Sequence, residues 1–318
     1  MSWSRLRGPR AFVLAALAAS AAATAFLLIA DVRPGKAGGQ TREYWIAAVP
    51  VTFQIAPNLR NAVEGHHLHA DETTFRTVVY RQYTEDWARP IQNAPGAQGI
   101  VGPLIKADEG DIVLVHFQNL DTLNNRPHSM HFHGFHYRPG SDGAYLPGFS
   151  GPGANVRPGQ SFTYRLVAGD DSAGVWPYHD HSPSMDDSLA GGLYGAISIR
   201  KPSDPKPDRE FVVFLETTLD FKTVNGRAFV GNTPVFKAKV GELVQWDVLS
   251  LGDDHHTFHV HGHRWRELDG LDVDTKTLGP AESFRVRWRE QDPGTWLYHC
   301  HVEGHMAQGM IGIYRVSH

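Results

Sequence analysis

The sequence predicts an all-β protein made of two tandem β-sandwich domains behind a short N-terminal segment. Short runs of β-branched and aromatic residues, separated by Gly, Pro, Asn and Asp, begin near Glu43 and continue to the C-terminus. Long stretches of helical periodicity are missing from this part of the sequence. The motifs of the first half also recur in the same order in the second half, which is typical of an internal duplication.

Five β-type runs define the first predicted domain. They cover residues 44–53, 75–83, 111–119, 161–167 and 195–200. Each run has the length of a single strand and is followed by a segment that contains Gly or Pro. We therefore expect one sandwich over residues 41–203.

A linker rich in proline and charge follows at residues 201–208, where the sequence reads Lys-Pro-Ser-Asp-Pro-Lys-Pro-Asp. Beyond it, β-type runs resume at residues 211–215, 244–249, 284–288 and 311–316. We therefore expect a second sandwich over residues 204–318, with a domain boundary near residue 204.

The first 40 residues are predicted to be an export segment plus a linker. Arg5, Arg7 and Arg10 precede an uncharged apolar stretch at residues 11–30. The small residues at 23–25 favour a cleaved signal peptide, whereas the length of the stretch allows a retained membrane anchor. Both alternatives export the chain, to the periplasm, the cell surface or the medium. The single cysteine excludes an intrachain disulfide.

Composition directs attention to histidine. The net charge is −4, which gives nucleic acid no electrostatic reason to bind. The chain has nineteen histidines. A random order of this composition would give roughly one His-x-His pair, whereas six occur. The spacing of the histidines is therefore the feature that indicates function.

Four of these pairs lie in the repeated motifs. The first half contains His131-Phe-His133-Gly and later Trp176-Pro-Tyr-His179-Asp-His181. The second half contains His259-Val-His261-Gly and later Trp296-Leu-Tyr-His299-Cys-His301. The two copies differ between the two histidines of the second pair, where the first copy has Asp180 and the second copy has Cys300. Only the second copy therefore has a thiolate.

Cys300 is the centre of a predicted type 1 (blue) copper site. His305 and Met310 follow it, and a thiolate, imidazoles and a weak thioether are the donors of such a site. Alternate residues of a strand face opposite sides, so the thiolate points away from the histidines on either side of it. The missing imidazole is assigned to His256, which lies three residues before His259 and therefore faces the opposite side of a regular strand.

The four His-x-His pairs supply eight imidazoles, and this number suits three further copper ions. Each pair lies on one face of its strand, so the pairs can converge where the domains meet. For the remaining histidines we expect ordinary core or surface roles; these are His66, His67, His69, His116, His128, His136, His255, His263 and His318.

The motifs HxHG, HxH, HxxHxHG and HCHxxxHxxxxM occur in this order, and from about residue 44 onward the chain resembles the two-domain multicopper oxidases of the small-laccase type. Residues 44–48 and 102–107 also resemble ceruloplasmin-like members. The resemblance implies two cupredoxin domains of Greek-key topology. It implies four copper ions per chain, one of type 1, one of type 2 and a type 3 pair.

The resemblance also implies the ligands. Type 1 copper would be bound by His256, Cys300, His305 and Met310. Type 2 copper would be bound by His131 and His259. The type 3 pair would be bound by His133, His179, His181, His261, His299 and His301. Tyr137 and Asp142 occupy the positions after the first HxHG at which the family has a Tyr and an Asp, near the type 2 copper and the oxygen path.

The activity implied is the oxidation of phenols and aromatic amines at type 1 copper, coupled to reduction of dioxygen to water. By the same resemblance the trinuclear cluster would lie between neighbouring subunits of a homotrimer. Asp253, Asp254 and Glu303 lie near the expected type 1 site and leave ferroxidase activity open. Copper nitrite reductase is a further alternative, although in that resemblance the type 2 copper needs only three imidazoles and the type 1 site lies in the first domain, where this chain has Asp180. Copper storage is another alternative, although it does not require a thiolate between two histidines.

Overall fold

A computed structural model of the 318-residue chain describes residues 39–92, 99–267 and 269–318. The predicted export segment at residues 11–30 lies outside the described residues. No helix in the described part of the chain is long and apolar enough to cross a membrane.

Strands dominate both halves of the chain, which confirms the predicted all-β class. In the first half they are β1 (Thr41–Gln54), β2 (Thr74–Tyr83), β3 (Ile105–Asp108), β4 (Ile112–Asn119), β5 (His131–Phe132), β6 (Ser161–Val167), β7 (Gly174–His179) and β8 (Tyr194–Arg200). In the second half they are β9 (Arg209–Thr218), β10 (Phe221–Val224), β11 (Val235–Lys239), β12 (Leu243–Ser250), β13 (His256–Val260), β14 (Trp265–Arg266), β15 (Asp272–Val273), β16 (Thr275–Leu278), β17 (Ser283–Arg289), β18 (Gly294–Cys300) and β19 (Ile311–Ser317).

Helices are few and short in the described residues. They are α1 (Ala70–Thr73), α2 (Met185–Gly191) and α3 (Glu303–Ala307), with single 3-10 turns at Glu85–Trp87, Pro139–Ser141 and Pro152–Ala154. The sequence did not predict α2 and α3, because segments of five to seven residues are too short for helical periodicity to register. Both helices directly follow an HxH or HCH motif.

The sheets of the two halves have the same strand order. The first half forms the sheets β2-β1-β4-β6 and β3-β8-β7-β5. The second half forms β10-β9-β12-β17 and β11-β19-β18-β13-β16, with a small β14-β15 hairpin. Parallel pairs also correspond, since β1 runs parallel to β4 as β9 runs parallel to β12. The internal repeat seen in the motifs is therefore a repeat of the whole sandwich.

Alternating burial explains the first core. In β4 every second residue is buried, so Val113, Val115 and Phe117 face the opposite sheet. The second core is more aromatic, and its centre is the fully buried Trp246, which packs against Tyr298 and Tyr314.

A third apolar cluster joins the two sandwiches. Tyr194 of the first packs against Phe214 of the second, with ring centroids 4.8 Å apart. Leu249 of β12 belongs to the same cluster, and β12 is buried on both faces, unlike its counterpart β4. Arg285 adds polar contacts, because it donates to the Ile199 carbonyl at 2.9 Å and to Asp247 at 2.7 Å. These contacts join the sheet β3-β8-β7-β5, which carries the first set of histidines, to the sheet β10-β9-β12-β17 of the second sandwich.

Candidate metal centres

Strands β13 and β18 form the centre that the sequence predicted around Cys300. The two strands pair antiparallel, with Phe258 opposite Cys300 and His259 opposite His299. The Cys300 Sγ lies 3.8 Å from His256 Nδ1 and 3.7 Å from His305 Nδ1, and these two nitrogens are 3.2 Å apart. Three donor atoms therefore converge on one point, with the soft sulfur and imidazole donors that suit copper.

The backbone around Cys300 supports this arrangement. The Thr257 N–H donates to the Cys300 Sγ at 3.3 Å, and the Cys300 N–H donates to the Met310 carbonyl at 3.1 Å. Both Cys300 and Met310 are fully buried. The helix α3 supplies His305, whose side chain turns back toward the sulfur. We name His256, Cys300, His305 and Met310 the thiolate site.

Electrostatics keep the imidazoles of the thiolate site neutral. Burial and the neighbouring His305 lower the pKa of His256 to about 4. Burial also lowers the pKa of His305. A neutral imidazole retains a lone pair for a metal ion. The Nε2 of His256 is buried without a hydrogen-bond partner, so this ring gains its interactions on the Nδ1 side.

The second sandwich also carries a set of four histidines on the opposite face of the same strands. They are His259, His261, His299 and His301, and their ring centroids lie 5.2 to 5.6 Å apart. The Nε2 atoms of His261 and His299 face each other at 3.1 Å. His259 Nδ1 donates to the Asp274 carbonyl at 2.7 Å, which leaves its Nε2 as the free donor to a metal.

The first sandwich carries the equivalent set. They are His131, His133, His179 and His181, with ring centroids 5.1 to 5.7 Å apart. The Nε2 atoms of His133 and His179 are 3.3 Å apart. Burial, with the neighbouring imidazoles, lowers the pKa of His133 to about 4. His131 Nδ1 donates to the Asp142 carbonyl at 2.7 Å, as His259 does to Asp274.

Tyr137 and Asp142 lie beside this first set. The Tyr137 ring meets the His131 ring edge-on at a centroid distance of 6.2 Å. An Asp142 carboxylate oxygen is 3.6 Å from His131 Nδ1. Burial, together with the adjacent Asp142 carboxylate, raises the pKa of Tyr137 to about 12. Both residues are thus within reach of a ligand bound at His131.

Within one chain the two sets of four histidines stay apart. Contacts between imidazole rings join the members of each set, and among the described residues none joins one set to the other. The first set instead opens into a cavity of about 920 Å³. Glu216, which the sequence did not single out, lines this cavity; burial raises the pKa of its carboxyl to about 8. Each sandwich therefore presents its own set of four imidazoles.

At the position equivalent to the thiolate site, the first sandwich has a closed polar network. His128 donates from Nδ1 to Asp180 at 3.2 Å and from Nε2 to Asp121 at 3.1 Å. All three side chains are buried. Burial alone would lower the pKa of His128, but its bonds to Asp180 and Asp121 raise it. His128 is therefore a core residue whose two ring nitrogens are both hydrogen-bonded, as we expected from the sequence. It lies three residues before His131, just as His256 lies three residues before His259.

His263 is the other buried histidine outside the two sets and the thiolate site. Its Nδ1 donates to the His261 carbonyl at 2.7 Å, and its Nε2 faces Glu290 at 3.2 Å. Glu290 also accepts from Trp288 and Tyr314. Both ring nitrogens are thus satisfied, and the side chain stabilises the turn after the second HxHG. His255, by contrast, is exposed while its neighbour His256 is buried.

Comparison with known proteins identifies the family. Two profiles described as multicopper oxidase match residues 91–204 and 202–318. A probable nitrite reductase-hydroxylamine oxidoreductase fusion protein of Kuenenia stuttgartiensis is 33% identical over 69% of this chain and 28% of its own length. Human ferroxidase HEPHL1 is 27% identical over 92% of this chain and 30% of its own length. Human ceruloplasmin is 29% identical over 86% of this chain and 30% of its own length.

Comparison with solved structures leads to the same family. A crystal structure of a multicopper oxidase superimposes with a TM-score of 0.67 at 28% identity, covering 87% of this chain and 89% of the other. The chain spans only about a third of the length of the curated relatives it matches. The donor sets and the profiles lead to one conclusion: this chain belongs to the multicopper oxidase family, as its motifs had indicated.

Proposed function

We propose that the protein is a laccase-like oxidase that couples one-electron oxidation of phenols and aromatic amines to reduction of dioxygen to water. The observation that carries the proposal is the position of Cys300. Its sulfur faces His256 and His305, while the neighbouring His299 faces the four-histidine set. One strand end thus links an electron-accepting site to an oxygen-reducing site.

The proposed ligands follow the donor sets. Type 1 copper is assigned to the thiolate site. Type 2 copper is assigned to His131 and His259. The type 3 pair is assigned to His133, His179, His181, His261, His299 and His301. When bound, these four coppers supply one-electron acceptance at the thiolate and four-electron reduction of dioxygen at the eight imidazoles.

The polypeptide provides the electron path and the proton. The bonds from the Cys300 sulfur through the backbone to His299 and His301 form a short covalent route between the two sites. Asp142 is the proposed proton source, because its carboxyl lies 3.6 Å from His131 Nδ1. Tyr137, packed against the same ring, is the proposed protective electron donor.

A complete cluster requires a second copy of the chain. Each sandwich offers four imidazoles, and the two sets do not meet within one chain among the described residues. A heterologous contact between the first sandwich of one copy and the second sandwich of the next would unite them. From the resemblance to the two-domain family we propose that the copies close a homotrimer, and from the N-terminal segment that the protein is exported.

The surroundings of the thiolate site favour an organic reductant. Lys222 lies 2.5 Å from Asp254, and its hydrogen bond lowers the pKa of that carboxyl to about 2. The carboxylate near His305 is therefore already neutralised by an ammonium group. A cation approaching this point would meet Lys222 as well as Asp254, so phenols remain the first choice.

Ferroxidase activity is the second candidate. The exposed Asp253 and Glu303 lie close in sequence to His256 and His305, and hard carboxylates attract Fe²⁺. One relative is named a ferroxidase. Nitrite reduction, suggested by the name of another relative, is less well supported, because eight imidazoles exceed what a mononuclear nitrite site needs.

The activity is tested by loading the full chain with copper and recording absorption and oxygen uptake. We expect an intense band near about 600 nm and oxygen consumption with a phenol that exceeds that with Fe²⁺. Faster turnover of Fe²⁺ on the same preparation would select the second candidate. Copper binding without oxygen uptake would mean that the protein stores copper.

Complementation tests the shared cluster. His133→Ala removes a ligand from the first set and His261→Ala removes one from the second, so each homogeneous variant should be inactive. When the two are co-expressed, about a quarter of neighbouring pairs would combine the intact halves and restore that share of activity. No restoration, although mixed oligomers form, would place the cluster within one chain.

A further inference from the structure

The most exposed large apolar side chains of the described residues lie in two loops, one in each sandwich. Among the described residues, Phe149 is 85% exposed, Leu271 is 63% exposed and Leu146 is 58% exposed. All three lie in the loops that follow an HxHG motif. In the rest of the described part of the chain, the exposed fraction of large apolar residues does not exceed 48%. The exposure is thus concentrated at two related places.

Each of these loops is attached to its histidine set. The loop of the first sandwich holds His131 through the Asp142 carbonyl, and its Tyr145 N–H donates to the His181 carbonyl at 2.9 Å. The loop of the second sandwich holds His259 through the Asp274 carbonyl at 2.7 Å. A surface that approaches either set must therefore also approach the apolar residues of its loop.

Hydrogen bonds hold the chain near the apolar residues of both loops. Ser150 closes the first turn, because its hydroxyl donates to the Leu146 carbonyl at 2.7 Å. Leu271 lies at the tip of the β14-β15 hairpin, where its carbonyl accepts from the Glu267 N–H at 2.8 Å. The hairpin is further held by the ion pair of Arg266 and Asp272 at 2.7 Å. Preformed turns lose little conformational entropy on binding.

We propose that Leu146 and Phe149 of one copy and Leu271 of the next are the apolar anchors of the contact that unites the two histidine sets. The inference rests on the proposed shared cluster. The occupant is a second copy because each loop borders a set of four imidazoles, and each set is complete only with the other. Burying these side chains removes apolar surface from water and thereby drives the association.

The test replaces the anchors and measures assembly as well as copper. In the full chain, Leu146→Ser with Phe149→Ser should raise the dissociation constant of the oligomer at least about tenfold. Leu271→Ser, on the partner side of the same contact, should also raise the dissociation constant of the oligomer. The matched control is Val235→Ser with Val240→Ser, which changes two residues that are 39% and 40% exposed and belong to neither loop.

Light scattering gives the oligomeric state, and absorption reports the thiolate site. We expect the anchor variants to dissociate while keeping the band near about 600 nm, because the thiolate site lies within one sandwich. The control should remain assembled. Anchor variants that assemble as tightly as the control would overturn the inference and leave the shared cluster standing. A wild-type chain that is a fully copper-loaded monomer would overturn both.

Discussion

The two sandwiches have the same backbone arrangement around two equivalent residues, Asp180 in the first and Cys300 in the second. The side chains around these two residues differ in how they are satisfied. In the second, the Thr257 N–H donates to Cys300 Sγ, and in the first the Ser129 N–H donates to Asp180 Oδ1 at 2.7 Å. The backbone N–H of Cys300 donates to the Met310 carbonyl at 3.1 Å, as that of Asp180 donates to the Leu193 carbonyl at 2.9 Å. The positions are therefore equivalent in three dimensions as well as in sequence.

The difference lies in how the buried groups are satisfied. Asp180 accepts hydrogen bonds from Ser129, Ser182 and His128, so its charge is neutralised without a metal. The sulfur and imidazoles of the thiolate site face each other at 3.2 to 3.8 Å with no such closure. The first sandwich is therefore held together at this position by an ion-pair network. The second sandwich instead has a set of donor atoms that suits a soft metal ion.

Restoring a thiolate to the first sandwich tests the equivalence most severely. Asp180→Cys combined with Met185→His, in a Cys300→Ser background, would supply a sulfur and an imidazole beside His128. Met185 lies five residues after Asp180, as His305 lies after Cys300. We expect a band near about 600 nm to appear on adding copper, because His128 keeps Asp121 as the partner that orients its ring.

The control for this prediction is Asp180→Cys alone in the same background, which lacks the second imidazole and should give a weaker band or none. A folded triple variant that binds the other coppers but shows no thiolate band would limit the equivalence to the backbone.

In the copper-free chain, a substitution at Asp180 should lower the free energy of unfolding more than a substitution at Cys300. Asp180→Asn leaves the charge of His128 only half compensated in a buried place, so the free energy of unfolding should fall by about 3 kcal/mol. Cys300→Ser breaks no ion pair and should cost about 1 kcal/mol or less. Urea denaturation of both variants gives the comparison. Equal losses would contradict the view that only the first network is closed without metal.

The smallest effect is expected at the axial position. Met310→Leu should keep the blue band and shift the reduction potential, because the weak thioether tunes the potential without holding the metal in place. Leu193→Met, at the equivalent point of the first sandwich, should leave the spectrum and potential unchanged. Redox titration distinguishes these results, and loss of the band in Met310→Leu would make this side chain a principal ligand.

Much of the site could be predicted because strand alternation is a local rule. The spacing of His259 and His261 fixes a shared face, and the odd separation from His256 fixes the opposite one; both arrangements are found. The motifs likewise identified Cys300 and its partners. Every β run predicted from sequence also corresponds to an observed strand.

The rest depends on distant parts of the chain. Asp121 reaches His128 only because the loop after β4 folds over the start of β5, and no periodic pattern encodes that approach. Glu216 lies on another strand and joins the cavity only through packing of the two sandwiches. The separation of the two histidine sets within one chain is likewise a property of the tertiary structure. The motifs identify the eight histidines, but they do not show that the two sets of four lie apart in a single chain.

The most direct test of the account is the copper content and absorption of Cys300→Ser beside the wild-type chain. We predict four coppers per wild-type chain with one intense band at about 600 nm. In the variant we predict loss of that band, of one copper and of phenol oxidation, while the three coppers of the histidine sets remain. Loss of all coppers, or a band that survives the substitution, would contradict the placement of the electron-accepting site at Cys300.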